Sequence, residues 1–390
     1  MRWLVFLSLL APSVALAESW CAYPLWVHEW GVQSFDASGR PAAPVSLPTY
    51  FHRNASGATA ASTPTRHLPA DSGIRDLPVL HFYSAGSLSS PIPVGVEVGF
   101  TRGEATVWYP QVNERRRASV ANSPAAATQR SALLRQRQPA GNQLALTRRL
   151  GSDPTSQLVW DQLLLTPAPQ HTQANALAWV DGLRELDAMW VNNASESERF
   201  VFYEATTRER VALELRRGAT WRRGHRHLIL ENKSRFDVHD VFVTHREGSR
   251  VFVFFAPSIP ARRSAGFVLE DHRVTNVRAA TRDRLRAQLV DPHQPTPPST
   301  AGWGAGCTMM REPAIPVTAA EGHHLYAAEV DAILDIWAAR FFEQPGTTIT
   351  YREDTAYLDA VMPLSLYTDM YNFIKLRRMG LANWTRVPLP

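Results

Sequence analysis

Short segments of alternating apolar and polar residues predict β-strands in the first third of the chain. Leu25 to Phe35 is the first such segment, and Gly31 within it indicates a bulge or a close approach to a neighbouring backbone. Three further strands are predicted, at 79–83, 94–100 and 105–109. Turn residues at 101–103 predict that the last two of these strands form a hairpin.

The middle of the chain repeats this strand pattern. Apolar segments recur at roughly ten-residue spacing between 157 and 270, separated by turn residues, as is typical of a β-sandwich. Glu247-Gly248-Ser249 lies between two such segments and predicts a hairpin turn. The segment 176–191 fits a strand or a helix, and both assignments stay open.

The last third of the chain favours helices. One helix is predicted at 281–290, and the stretch 291–316 must be a loop because it contains six Pro and three Gly. A second helix is predicted from an apolar stripe at three- and four-residue spacing, formed by Tyr326, Val330, Ile333, Leu334, Trp337 and Phe341. A further strand is predicted at 347–351.

Together these patterns predict an α+β fold that is mainly β, with an antiparallel, sandwich-like core and a C-terminal helical segment. The expected organisation is a signal peptide at 1–17, an N-terminal β unit at 18–112, an Arg/Ala/Gln-rich insertion at 113–150, a β-sandwich-like unit at 151–272, and a C-terminal helical segment at 273–390 with a Pro/Gly-rich loop at 291–316.

The first seventeen residues have the pattern of a secretory signal peptide. Arg2 supplies a positive charge, an apolar run follows at 3–10, and the small residues of Ala15-Leu16-Ala17 fit a cleavage site. The apolar run is too short to span a bilayer. We therefore expect the mature chain to begin at Glu18 and to reside in the periplasm or outside a bacterial cell.

The cysteine content agrees with export. The chain contains two cysteines, Cys21 and Cys307, at opposite ends of the mature sequence. In an oxidising compartment an isolated pair is expected to be bridged, so the sequence predicts a disulfide between them. Neither cysteine has the C-x-x-C spacing of a zinc or haem site.

Arginine dominates the basic residues. Only two of the 41 basic residues are Lys, which a GC-rich bacterial genome explains, and the net charge is +5. The stretch 115–149 contains eight Arg and no acidic residue. Two interpretations of this arm stay open: it binds an anionic polymer, or it is a solvated insertion. No nucleic-acid partner is expected, because the arm has no aromatic residue to stack on bases.

Several short motifs occur in order along the mature chain, among them His-Glu-Trp-Gly at 28–31, Trp-Tyr-Pro at 108–110 and Trp-x3-Phe-Phe-Glu-x-Pro-Gly at 337–346. With these motifs the chain resembles a family of exported bacterial proteins of uncharacterised function. The chain departs from the family pattern at Asp76-Leu77, Val107 and Thr348. The resemblance implies export, but it implies no activity.

His28 and Glu29 form the most suggestive polar pair in the sequence. One interpretation makes them catalytic, with His28 as a metal ligand or base and Glu29 as its acid partner. Neighbouring side chains on a strand point to opposite faces, so both reach one site only if the strand bulges at Gly31. The alternative is a hydrogen-bonded histidine beside a surface glutamate.

His239 and His245 are six residues apart on one predicted strand, which would place them on one face. With His28 as a third ligand they are candidates to bind zinc or copper, and the competing interpretation is that they occupy polar surface positions. Four aromatic residues on predicted strands are candidate binding residues: Trp30, Trp108, Tyr109 and Tyr203.

The sequence contains no nucleophile elbow, no phosphate-binding Gly-rich loop and no Ser-x-x-Lys motif. It therefore predicts a binding or accessory protein, exported to the periplasm or the cell surface. The alternative is a metal-dependent hydrolase or oxidoreductase built around His28 and Glu29, with a divalent cofactor such as zinc or copper. The sequence alone leaves open whether the protein is an enzyme.

Overall fold

The structure is a computed structural model, and it describes most of the chain from residue 25 onward. The described ranges are 25–40, 46–53, 73–84, 91–101, 103–116, 157–207, 210–218, 226–248, 250–269, 277–298, 317–368 and 374–388. The predicted signal peptide, Cys21, Cys307 and residues 117–150 of the Arg-rich insertion lie outside these ranges.

Strands outnumber helices among the described residues. The strands are β1 Leu25–Phe35, β2 His52–Arg53, β3 Gly73–Ser84, β4 Ile92–Gly99, β5 Gly103–Tyr109, β6 Glu114–Arg116, β7 Gln157–Thr166, β8 Trp190–Asn192, β9 Ser197–Glu198, β10 Val201–Thr207, β11 Leu213–Arg217, β12 Arg226–Asn232, β13 Val238–Glu247, β14 Arg250–Ile259, β15 Ser264–Leu269, β16 Gly346–Glu353, β17 Leu364–Thr368 and β18 Ile374–Val387. The helices are α1 Ala178–Arg184, α2 Val277–Leu289, α3 Ala327–Ile336, α4 Ala338–Phe342 and α5 Thr355–Val361.

Within the described parts of the chain these strands form three sheets. The largest has nine strands in the order β14-β13-β16-β18-β1-β3-β10-β5-β2. A second sheet has the order β17-β4-β7-β8-β9 with β6 also paired to β7, and a third has the order β11-β12-β15. The β1–β18 pair is parallel, and the other described strand pairs in the nine-stranded sheet are antiparallel.

The nine-stranded sheet is the middle layer of the fold. On one of its faces, Leu25 of β1 packs in one cluster with Val96 of the six-stranded sheet. The other end of the same face packs on the three-stranded sheet, with Ile349 of β16 and Leu230 of β12 in one cluster. The predicted fold class, mainly β with an antiparallel sandwich-like core, is confirmed.

Helices cover the opposite face of the nine-stranded sheet. Trp30 of β1 packs there in one cluster with Ile333 and Leu334 of α3. The predicted apolar stripe is confirmed, because its six side chains are all buried in α3, in α4 and at their ends. Since layers lie on both sides of β1, even its polar residues are buried.

Strand β1 has the predicted bounds and the predicted irregularity at Gly31. Its register against β3 shifts between Trp30 and Val32, so that two residues of β3 oppose Gly31. A Cβ atom at Gly31 would lie 3.3 Å from the Cα atom of Pro78. Pro78 has no N–H group for the ladder, which suits it to the bulged position. The close approach predicted at Gly31 is confirmed.

Other local predictions are confirmed as well. Strands β13 and β14 form the predicted hairpin, and Gly248 in its turn has a φ of 60°. The ambiguous segment 176–191 contains both a helix, α1, and the start of a strand, β8. Among the described residues, no helix is both long and apolar enough to cross a membrane.

The predicted hairpin of β4 and β5 is wrong. Strand β4 pairs with β7 and β17 in the six-stranded sheet, while β5 pairs with β10 and β2 in the nine-stranded sheet. Strands β4 and β5 therefore lie in different layers. Alternation of apolar residues predicts a strand, but it does not specify the strand's partner.

The predicted units 18–112, 151–272 and 273–390 do not form separate sheets. Each of them contributes strands to the nine-stranded sheet, for example β1, β13 and β18. The C-terminal segment, predicted to be helical, contains α2 to α5 but also β16, β17 and β18. Two of these strands lie near the centre of the sheet, where they pair with strands from both other units.

Candidate functional site

Strand β1 directs its two central polar side chains into different layers. Glu29 lies on the face that packs on the smaller sheets, opposite Arg378 of β18. His28 lies on the helical face, opposite His81 of β3. The bulge at Gly31 follows these two residues and leaves their alternation intact. The structure therefore does not bring the predicted catalytic pair together.

Glu29 is engaged by a buried arginine. The Arg378 guanidinium donates to both Glu29 carboxylate oxygens, at 3.0 Å for the Nη2–Oε1 pair, and the Tyr203 hydroxyl also donates to Oε1. Arg378 further donates to Asp359 Oδ1 at 2.7 Å and to the Met362 carbonyl at 2.8 Å. Burial alone would lower the pKa of Arg378, but the charge and hydrogen bonds of Glu29 raise it. Glu29 and Arg378 thus form an ion pair that is buried in the core.

His28 has a different carboxylate as its partner. Its Nδ1 donates to Glu329 Oε2 at 2.6 Å, and the His81 Nδ1 atom lies 3.6 Å from Glu329 Oε1. The backbone N–H of Tyr326 also donates to Glu329, at 3.0 Å. The aromatic rings of Tyr326 and Tyr83 close the cluster, with centroids 4.4 Å and 5.3 Å from that of His28.

Electrostatics in this cluster favour an ionised Glu329 carboxylate beside a neutral His81. Burial would raise the pKa of Glu329, but the attraction and hydrogen bond of His28 and the attraction of His81 lower it. Burial lowers the pKa of His81 to about 4, against the attraction of Glu329. Because all three side chains are at most 1 % exposed, no ligand can reach them in this conformation.

His239 and His245 lie on β13 as predicted, but they do not share a face. The register against β16 shifts between His239 and Phe242, and Asp240 in this bulge has a φ of 48°. As a result Val238 and Val241 pack in the same cluster although they are three residues apart. The bulge reverses the alternation, so His239 and His245 point to opposite sides of the sheet.

The three predicted metal ligands have separate partners. His239 Nε2 lies 3.0 Å from Asp354 Oδ2, and His245 Nδ1 lies 2.9 Å from Thr347 Oγ1. Six residues of strand separate these two histidines by about 20 Å. Strands β16 and β18 lie between them and His28. Across the described ranges, no group of three or more His, Cys, Asp or Glu side chains is arranged to hold a metal ion.

The four aromatic residues predicted to bind a ligand are core residues instead. Trp30, Trp108, Tyr109 and Tyr203 are each at most 5 % exposed. The Tyr203 hydroxyl donates a hydrogen bond to Glu29, and the Trp108 indole N–H donates one to Gln111 at 2.8 Å. Layers cover both faces of the strands that carry these four residues, so their aromatic side chains fill the interior.

The structure contains a cavity that the sequence did not indicate. It has a volume of about 330 Å³ and lies at the margin of the three-stranded sheet, against the end of β16 of the nine-stranded sheet. We call it the interlayer cavity, and it is lined by Arg210, Val211, Ala212, Lys233, Ser234, Phe236, Asp237, Val238, Tyr351, Glu353, Asp354 and Tyr357. Small-molecule sites begin at about 300 Å³, so this volume suits a compact ligand.

Three of the twelve residues that line the interlayer cavity are aromatic: Phe236, Tyr351 and Tyr357. Tyr351 is 2 % exposed, and its hydroxyl accepts a hydrogen bond of 3.0 Å from the Ala212 N–H. Phe236 and Tyr357 meet edge to face with their ring centroids 5.6 Å apart. Glu353 follows Tyr351 on the same face of β16 and is 5 % exposed.

Charged side chains surround the cavity mouth. The Lys233 ammonium, whose side chain is 40 % exposed, lies 2.6 Å from Glu231 and 3.0 Å from Glu214. Asp354 caps the N-terminus of α5 by accepting from the Ala356 N–H at 2.8 Å. Arg210 is exposed at the same mouth, so the cavity opens to solvent.

Comparisons with known proteins assign no family to this chain. No family model matches it, and no curated protein matches it. The resemblance to exported bacterial proteins therefore stays a prediction from the motifs. The interlayer cavity and the two buried clusters are the observations from which function can be argued.

Replacing Arg378 with Met tests the buried ion pair. The variant leaves Glu29 as an uncompensated charge in the core, so we expect a loss of about 3–5 kcal/mol in the free energy of unfolding. The double variant Arg378→Met with Glu29→Met removes both charges and should recover much of that loss. Urea denaturation measures both variants. A double variant as unstable as the single one would contradict this explanation.

The buried His81 predicts that the protein becomes less stable as the pH falls. His81 is neutral in the folded protein down to about pH 4, whereas an unfolded histidine protonates near pH 6.5. The contribution of neutral His81 to the free energy of unfolding is therefore complete above about pH 6.5. It is lost as the pH falls towards 4, by up to about 3 kcal/mol.

Urea denaturation of His81→Asn between these pH values should show a shallower pH dependence than the wild type. His293→Asn is the matched control, since it makes the same substitution at an exposed position. Equal slopes for the wild type and His81→Asn would exclude His81 as the source.

Proposed function

We propose that this protein is an exported binding or accessory protein, acting in the periplasm or at the cell surface, that binds a small molecule in the interlayer cavity. The observation that carries the proposal is the cavity itself. Its lining combines three aromatic residues with a buried glutamate, and the exposed Arg210 at its edge shows that it reaches solvent. Binding sites typically combine apolar walls with a few placed polar groups in this way.

The two buried clusters, around Glu29 and around His28, support a binding role because neither is open to a substrate. Glu29 is held by Arg378 and Tyr203, and His28 is held by Glu329. A general acid or base must come within hydrogen-bond reach of the proton that it transfers. Both clusters are closed to solvent, and no observation among the described residues favours the alternative of a metal-dependent enzyme at His28 and Glu29.

Export is supported by the sequence of residues 1–17 and by the cysteine pair. The possible role of the 115–149 arm in binding an anionic polymer stays a prediction, because residues 117–149 of the arm lie outside the described ranges.

Filling the interlayer cavity tests the binding site. Ala212→Trp places an indole among the lining residues and should weaken binding at least ten-fold. A panel of compact amino acids, amines, carboxylates and sugars is screened by the shift in melting temperature and confirmed by calorimetry. The control is Ala339→Trp, which adds the same side chain at an exposed position of α4. Unchanged binding by Ala212→Trp would place the ligand elsewhere.

Export has its own test. When the full-length chain is expressed in a bacterium and the cells are fractionated, we expect a mature protein outside the cytoplasm. Intact-mass measurement should show a chain starting at Glu18, two mass units lighter than its fully reduced form, because Cys21 and Cys307 are bridged. A cytoplasmic chain with Met1 attached and both thiols free would contradict the proposed location.

A further inference from the structure

We infer that the ligand of the interlayer cavity is a compact, uncharged molecule that carries an aromatic ring. This inference rests on the proposed function, since it names the ligand class of the same site. Two features of the lining carry it. The charged side chains already have partners within the protein, and the aromatic and aliphatic side chains offer a ligand apolar surface.

Two of the three carboxylates in the lining have partners of known geometry. Asp354 accepts a hydrogen bond of 2.8 Å from the Ala356 N–H, and its Oδ2 lies 3.0 Å from His239 Nε2. Asp237 Oδ1 accepts a hydrogen bond of 2.8 Å from the Ala261 N–H. Both carboxylates are therefore engaged without a cation from a ligand.

The other charged residues of the lining are engaged as well. Glu353 interacts with other groups of the protein, and its Oε2 lies so close to β18 that a Cβ atom at Gly380 would be 2.5 Å from it. The Lys233 ammonium lies 2.6 Å from Glu231, and Arg210 also has a partner within the protein. A charged ligand would lose its hydration here without meeting an unpaired opposite charge, which is unfavourable.

The uncharged part of the lining is mostly apolar. Apart from Ser234 it consists of Val211, Ala212, Phe236, Val238, Tyr351 and Tyr357. The polar atoms among these residues are also engaged: the Ser234 hydroxyl donates to the Phe236 carbonyl at 2.6 Å, and the Tyr351 hydroxyl accepts from the Ala212 N–H. The lining therefore rewards a ligand chiefly for the apolar surface that it removes from water.

The arrangement of Phe236 and Tyr357 favours an aromatic ligand over an aliphatic one. Their ring centroids are 5.6 Å apart and their planes meet at 65°. Aromatic rings prefer such edge-to-face or offset-stacked contacts and gain more from them than from burial of area alone. A ligand ring beside this pair extends the same packing. The cavity volume of about 330 Å³ is close to the lower limit of small-molecule sites, which suits a ligand of one or two rings.

Benzyl alcohol, benzylammonium and benzoate test the inference, because they share a benzene ring and differ in charge. Cyclohexylmethanol is a fourth probe, uncharged but not aromatic. Titrations of the full mature protein, followed by ligand-observed NMR, should show that benzyl alcohol binds at least ten-fold more tightly than the two charged probes, and more tightly than cyclohexylmethanol. A charged probe that binds as tightly as benzyl alcohol would overturn the inference, and so would cyclohexylmethanol.

Tyr357→Leu removes a half-buried ring from the lining, whereas Tyr357→Phe keeps the ring. The affinity for benzyl alcohol should be about ten-fold lower in Tyr357→Leu than in Tyr357→Phe. Phe236→Leu should weaken binding in the same way, through loss of the other ring of the pair. Trp179→Leu is the matched control, since it removes a half-buried ring from α1, on the opposite face of the nine-stranded sheet. Equal affinities of the two Tyr357 variants would contradict the role of the ring.

The failure of this inference is distinguishable from the failure of the proposed function. If amines, carboxylates or sugars bind, Ala212→Trp blocks them and benzyl alcohol does not bind, then the cavity is a binding site for another class of ligand. If neither these compounds nor benzyl alcohol binds, both proposals fail.

Discussion

The ion pair between Glu29 and Arg378 joins the two central strands of the nine-stranded sheet inside the sandwich. These strands, β1 and β18, run parallel and come from opposite ends of the chain. Because layers cover both faces of β1, its two central polar side chains, Glu29 and His28, each need a partner in the core. Arg378 provides one on the sandwich face and Glu329 provides the other on the helical face. The three layers are thus connected through one strand.

This constraint explains why the polar pair in β1 is not the favoured functional site. A buried carboxylate is tolerated when it is paired and hydrogen-bonded, and the same partners remove it from contact with a ligand. The site proposed here lies where layering is less complete, at the margin of the three-stranded sheet. There the loop at 233–237, the start of α5 and the end of β16 enclose a space that no side chain fills.

Much of the fold could be predicted, but little of the candidate site. The strand at β1, the hairpin of β13 and β14, and the stripe of α3 follow from periodicity within short windows. The lining of the interlayer cavity comes from 210–212, 233–238 and 351–357, and its charged residues resemble those of an ordinary surface loop. Clusters assembled from distant segments leave no local signal in the sequence. The bulge at Asp240 also had no signal in the sequence. Because of it, His239 and His245 lie on opposite faces of the sheet and not on one face as predicted.

The sequence by itself determined which segments are strands or helices, because apolar periodicity reflects the geometry of a single element. It also indicated that His28 and Glu29 diverge unless the strand bulges. Only the tertiary structure decided the partners: Glu329 for His28, Arg378 for Glu29, and separate sheets for β4 and β5. Partner choice depends on burial summed over residues that are hundreds of positions apart, and periodicity in a short window carries no information about such pairs.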